Sequence, residues 1–195
     1  MPNARAHEAA EKFNRFAERM GMPARCDASL SFEAPKLVDV AELWREKVRD
    51  NGLPHRSDFH ARNLKEVLPH VIIADRVEAN GESRYRFRLM GTVISELLGE
   101  HTGKFVDEAV ISPFRERWSA VLDSASEAGC PLRIFGRLEY RQQDYIAMEI
   151  MAAPLGSSAG PTEAILVIAQ PTYSMRHVFH PLVKNKITSR NAPAS

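Results

Sequence analysis

The chain has 195 residues, 44% hydrophobic and 26% charged, with a formal net charge of +1. A chain of this size buries roughly 70% of its unfolded surface, so it needs no disulfide or metal staple. The near-neutral total excludes a global field that would recruit nucleic acid or a membrane surface, so any charged docking site must be local.

The N-terminal stretch MPNARAHEAAEKF has no apolar core and does not read as a secretory signal. No apolar run approaches the ~20 residues of a membrane span. The expectation is a soluble, cytoplasmic protein. Cys26 and Cys130 are the only cysteines and form neither CxxC nor a zinc pattern, so they read as idle thiols in a reducing compartment.

Residues 5–20 predict an amphipathic helix, with Ala6, Ala9, Ala10, Phe13, Phe16, Ala17 and Met20 on one face. Gly21 and Pro23 stop it. Residues 25–35 show no period and read as a linker. A second helix is expected over residues 35–50, with Leu37, Val40, Ala41, Trp44 and Val48 as its stripe and Asn51-Gly52 as its end. Residues 53–69 are turn-rich, with a helical piece expected at 63–68.

Residues 71–77 predict a strand, and Asn80-Gly81 a hairpin turn. In residues 84–90, Tyr85, Phe87 and Leu89 alternate with Arg84, Arg86 and Arg88, the pattern of an edge strand with one wet face. A short helix is expected over 92–98, irregular chain over 100–113, and a longer helix over 114–128. Phe114, Trp118, Val121, Leu122 and Ala125 share a face of that longer helix. Strands over 132–140, 145–153 and 163–170 close the domain. The run Ile165, Leu166, Val167, Ile168 predicts a central strand covered on both faces. The segment from Pro171 to Ser195 carries Arg176, Lys184, Lys186 and Arg190 without an acid and reads as a basic tail.

The order after Pro69, strand, strand, short helices, longer helix, three strands, is that of the PAS fold. The runs LWREKVRDNGLPHRSDF, LPHVIIADRV and YRFRLMGTVISELLGEHTGK, with Tyr145, Glu149, Pro154 and Leu155, resemble a bacterial family of short, single-PAS proteins over residues 37–170. The resemblance implies an α+β fold. Its five-stranded antiparallel sheet has order 2-1-5-4-3, short helices lie on one face, and N-terminal helices are added. The implied domains are an N-terminal helix and linker over 1–35, a PAS domain over 36–170 and a tail over 171–195. It also implies a sensory or regulatory module in signal transduction. That module binds a small ligand or a partner signalling protein without an output domain of its own.

A pocket is expected between sheet and helices, with Leu97, His101, Trp118, Ile134, Met148 and Ile150 as candidate lining. Haem-binding relatives hold iron through a histidine in the longer helix, and FRERWSAVLDSASEA has none. Light-sensing relatives carry a reactive cysteine where this chain has GEHTGKF. Haem and cysteinyl-flavin are therefore not expected, and any other cofactor is left unassigned.

His55, His60 and His70 match no metal spacing. Ser57, Asp58 and His60 share a turn, which is not a triad. No catalytic residues are assigned and the chain does not read as an enzyme. The alternative is a small α+β-pocket enzyme or a lipid or metabolite carrier. Arg84, Arg86 and Arg88, with Arg133, Arg137 and Arg141, suggest a basic sheet edge, without a DNA-reading motif. The helix over 5–20 is too short to stand alone in water and must dock on its own sheet or on a second copy. The resemblance favours a homodimer, with Phe13, Phe16 and Met20 in contact.

Overall fold

The computed structural model describes residues 4–49, 52–79, 81–110, 114–140, 144–156 and 160–172. Its helices are α1 (Ala4–Arg19), α2 (Pro35–Lys47), α3 (Thr92–Leu98), α4 (Val106–Ala109) and α5 (Phe114–Ala128). Its strands are β1 (Ala24–Asp27), β2 (Val71–Ala79), β3 (Glu82–Met90), β4 (Leu132–Tyr140), β5 (Asp144–Gly156) and β6 (Thr162–Pro171). The expected basic tail lies outside the described residues beyond Thr172, as do Asn80 and Arg141.

The sheet is antiparallel in the order β1-β4-β5-β6-β2-β3. It has six strands where five are expected. Without β1 the neighbours are those expected, with β6 central and β3 at an edge. The addition, β1, comes from the stretch read as a linker and pairs Ala24 with Gly136 and Cys26 with Ile134. Four residues are too few to display a period. Gly136 admits the chain crossing beside it, since a Cβ there would stand 2.5 Å from the Pro23 carbonyl oxygen.

Two cores lie on the two faces of the sheet. Along β6, Ile165 and Val167 point into one, and Leu166 and Ile168 into the other. All four are fully buried. The first core receives α1, α3, α4 and α5; the second receives α2 and the turns of residues 53–70. The outer face of its own sheet, one of the two candidate docking sites for α1, is not where it lies, because it packs on the helical side beside α5. Ala6, Ala9, Ala10 and Ala17 of α1 are buried with Ala125 and Ala128 of α5, and small side chains let the helix backbones approach closely. Asn14 then ties α1 to the outer edge of β1, with its side-chain Nδ2–H donating to the Cys26 carbonyl at 2.9 Å and its Oδ1 accepting the Cys26 N–H at 2.8 Å. The outer face of the sheet is already taken by Leu37, Val40, Ala41 and Trp44 of α2.

Several local expectations change. Residues 100–113, expected to be irregular, contain α4, and α2 ends at Lys47, short of Asn51-Gly52. The piece at 63–68 forms turns, and the helical geometry there is a 3-10 turn at Leu68–His70, where Pro69 sits in the first turn. The alternation of β3 breaks at Leu89. Between Ile73 and Ala74 the register slips, so that Ile73 faces Leu89 while Ala74 faces Phe87. One extra residue, Arg88, therefore bulges out and Leu89 turns to the α2 side. Tyr85 and Phe87 stay in the first core as expected.

Both thiols are withdrawn from chemistry. Burial, reinforced by Asp27, pushes the Cys26 thiol up to about 12, and burial raises Cys130 as well. At pH 8 only about 10⁻⁴ of Cys26 is thiolate. A disulfide-exchange reagent should label Cys26 very slowly in the native protein and both thiols quickly in denaturant. Rapid native labelling of Cys26 would contradict the buried β1 edge.

Candidate functional site

Between the sheet and the helices is a cavity of about 110 Å³. Leu97 of α3, Trp118 of α5, Ile134 of β4, and Met148 and Ile150 of β5 line it. These are five of the six residues expected. Ile134 and Met148 are buried, while Leu97, Trp118 and Ile150 are half-buried. The first core explains the convergence, since all of these but Leu97 pack into or against it.

His101 is the exception and does not line the cavity. Gly99 ends α3 at φ 89°, and the chain folds back so that the His101 ring meets the helix end. Its Nε2–H donates to the Leu98 carbonyl at 3.0 Å. The ring stacks on Phe87 at 6.3 Å, and Phe87 in turn meets Trp118 edge-on at 6.3 Å. His101 thus stands one ring behind the cavity wall. The same loop is pinned by Glu100, whose carboxylate accepts from the Thr102 N–H at 2.7 Å and the Ser95 hydroxyl at 2.8 Å.

Several contributors escape the sequence reading. Phe13 reaches the cavity from α1, and Met22, Pro23 and Ala24 reach it from the approach to β1 and its first residue. Arg117 and Arg137 also line it and are its charged residues among those described. Arg117 had a visible signal: it lies three residues after Phe114 and four before Val121, on the apolar stripe of α5. Among the described residues no carboxylate, histidine, cysteine or hydroxyl side chain lines the cavity. The wall therefore offers neither an axial ligand for a haem nor a thiol for a flavin adduct.

Of the residues that carry the family resemblance, Ile94, Leu97 and Leu98 line the cavity and others lie elsewhere. Trp44 Nε1–H donates to the Pro154 carbonyl at 2.9 Å inside the second core. Asp58 accepts the His55 N–H at 3.1 Å and pairs with Arg49 at 3.1 Å, which sets Phe59 into the same core. Gly91 is needed because a Cβ there would run into the carbonyls of Leu68 and Pro69. Glu149, fully buried, holds the start of α2. These residues build the outer layer.

The arginines do not form one basic edge. Those of β3 and β4 sit toward opposite sides of the sheet. Arg84 pairs with Asp107 at 2.8 Å and Glu108 at 2.6 Å, and Arg133 with Glu149 and Asp27. The β3 edge is itself covered: the Phe87 N–H donates to Lys104 and the Gly103 N–H to Phe87. Among the described residues no group of histidine, cysteine and acidic side chains could hold a metal ion, and no helix is long and apolar enough to cross a membrane.

A family model described as PAS domain matches residues 32–169. Among curated proteins no sequence match is found. Three solved structures are similar in fold. A light-oxygen-voltage domain studied with a flavin analogue is 11% identical, with 66% of this chain and 94% of that chain covered and a TM-score of 0.42. An RNA-binding light-oxygen-voltage receptor is 13% identical, with 71% of this chain covered and 40% of its own and a TM-score of 0.38. A sensory box histidine kinase/response regulator from Burkholderia thailandensis E264 is 14% identical, with 68% and 100% covered and a TM-score of 0.37.

Proposed function

This chain belongs to the PAS domain family, and on that premise we propose that it is a sensory module whose small-molecule cavity is coupled to its own N-terminal helix. One observation carries the reading. The cavity wall is shared between the domain core, at Trp118, Ile134 and Met148, and the segment before it, at Phe13 and Met22. A ligand that prefers one arrangement of that wall shifts the population of α1 positions by as much as its affinity differs between them. Binding is favoured over catalysis because the wall is apolar and, among the described residues, offers no acid, base or nucleophile.

The output is contact with a partner, in this reading a second copy of the chain in the cytoplasm. Phe13 is 1% exposed and spent inside its own fold, but Phe16 is half-exposed and Met20 is 39% exposed. Phe16 lines a groove between α1 and α5 that has Lys12, Arg15 and Arg19 on one wall and Glu116, Asp123 and Glu127 with Arg115 on the other, Lys12 and Glu127 already pairing within the chain at 2.6 Å. Opposite charges on adjacent helices are self-complementary under a two-fold axis.

Amide hydrogen exchange with saturating toluene, a cavity-sized apolar probe, tests the coupling. The expected result is slower exchange in α5 together with a change in residues 13–24. Slowing confined to α5 would remove the coupling, and no change anywhere would remove the cavity as a binding site.

A further inference from the structure

Resting on the cavity reading above, we propose that its ligand is a neutral, apolar molecule of about one ring, and that the site rejects charged molecules of the same size. The wall leaves a ligand almost nothing to bond to. Phe13, Ile94, Val121, Ile134, Met148 and Ala169 line it, are buried, and carry neither charge nor hydroxyl. The two arginines do not change this. The Arg117 Nε is buried, and its guanidinium lies over the Phe114 ring, with Cζ 5.3 Å from the centroid. Arg137 has a partner of its own. What these two residues give the cavity is hydrocarbon stem, the usual division of an arginine between an apolar surface and a polar one.

The main chain along the wall is spent as well. The Met22 N–H donates to the Ala17 carbonyl at 2.8 Å, and the Ala24 N–H to the Met22 carbonyl at 2.8 Å. The Arg137 N–H donates to the Pro23 carbonyl at 2.9 Å, and the Leu98 carbonyl is taken by His101. Ala24 pairs with Gly136, and Ile150 with Ala169, across the sheet. Among the described lining side chains the Trp118 indole N–H is the one neutral N–H donor. It replaces little of a carboxylate's hydration and none of an ammonium's, so an ion entering here sheds water at a cost that a neutral ring does not meet. Met22, Leu97, Leu98 and Phe114 are half-buried, so the wall reaches the surface on a rim that is itself apolar. The volume limits the ligand. About 110 Å³ is somewhat below the roughly 150 Å³ of an apolar cavity that takes benzene, and Met22 and Met148 can adapt to a ring.

Calorimetric titration of the full chain at neutral pH with toluene, benzoate and benzylammonium, which share one ring and differ in charge, decides the matter. Toluene should bind at least tenfold more tightly than either ion. Ala169→Leu, which fills the cavity from β6, should weaken toluene tenfold or more, with circular dichroism checking that the variant is folded. Nuclear Overhauser contacts from toluene to the methyl groups of Ile134, Met148 and Ile150 should place the ring in the wild-type cavity, a readout that needs no variant. If either ion binds within tenfold of toluene, the neutral-ligand assignment is wrong and the cavity reading stands. If toluene binds without those contacts, or binds a folded Ala169→Leu chain unchanged, it sits elsewhere and both are wrong. If none of the three binds, both are wrong as well.

Discussion

Glu149→Ala should cost about 3–5 kcal/mol of folding free energy, toward the lower end of that range, read as an earlier urea midpoint at unchanged slope. Glu149 is fully buried in the middle of β5. Its two carboxylate oxygens accept the Glu33 N–H at 3.1 and 2.9 Å and the Ala34 N–H at 2.8 Å. They also take the Arg133 Nε–H from the neighbouring strand. Ala34 is the N-cap of α2 and has no side-chain oxygen to offer, so a carboxylate from the sheet does the capping. It also meets the positive end of the helix dipole. Removing it orphans two backbone donors and leaves the Arg133 guanidinium, 11% exposed, with Asp27 at 3.1 Å as its remaining close partner. That partner is why the lower end is expected. Replacing both members, Glu149→Leu with Arg133→Met, should recover part of the loss, because the unpaired buried charge is gone while the cap is still missing. A single variant that loses less than about 1 kcal/mol would show that the capping network is not what holds α2.

The same residue marks what a sequence does and does not disclose. Glu149 is visible as part of a family-like stretch, yet its partners are two backbone N–H groups more than a hundred residues away. No local period encodes such a contact. Some boundaries set by glycine or proline were legible to the residue: α3 ends before Gly99, α5 ends before Gly129, and β4 begins after Pro131, whereas α2 ends at Lys47, short of Asn51-Gly52. The central place of β6 followed from four consecutive apolar residues, since only a strand covered on both faces tolerates them. By contrast β1 has four residues and no pattern, and its one trace was a glycine inside the opposite strand. Five of the six expected cavity residues were legible because each sits on an apolar face of an element with a clear period. His101 was not, because its position depends on the turn after Gly99, where side-chain direction follows a single positive φ. Arg117 is not singled out by the sequence, although it stands on the stripe of α5.

Phe13→Ala should cost about 3–5 kcal/mol, as large as any single change outside the ion pair, because the ring is 1% exposed in the core that α1 and α5 share. Phe13 also lines the cavity, so the space left by the ring joins a hole already present and the wall has little to collapse onto. The loss should therefore be seen as early exchange of α1 amides as well as lowered global stability. Phe16→Glu and Met20→Glu answer a different question. Both side chains are at the surface, so each should change stability by less than about 0.5 kcal/mol. If the outer face of α1 joins two copies, the wild-type chain should sediment as a dimer at tens of micromolar, where roughly −6 to −7 kcal/mol of association shows. The paired glutamates should then make it a monomer, by placing like charge against the acidic wall of α5 across the two-fold axis. A wild-type monomer at that concentration, or a dimer indifferent to both substitutions, would leave α1 as an intramolecular cap whose work ends at Phe13.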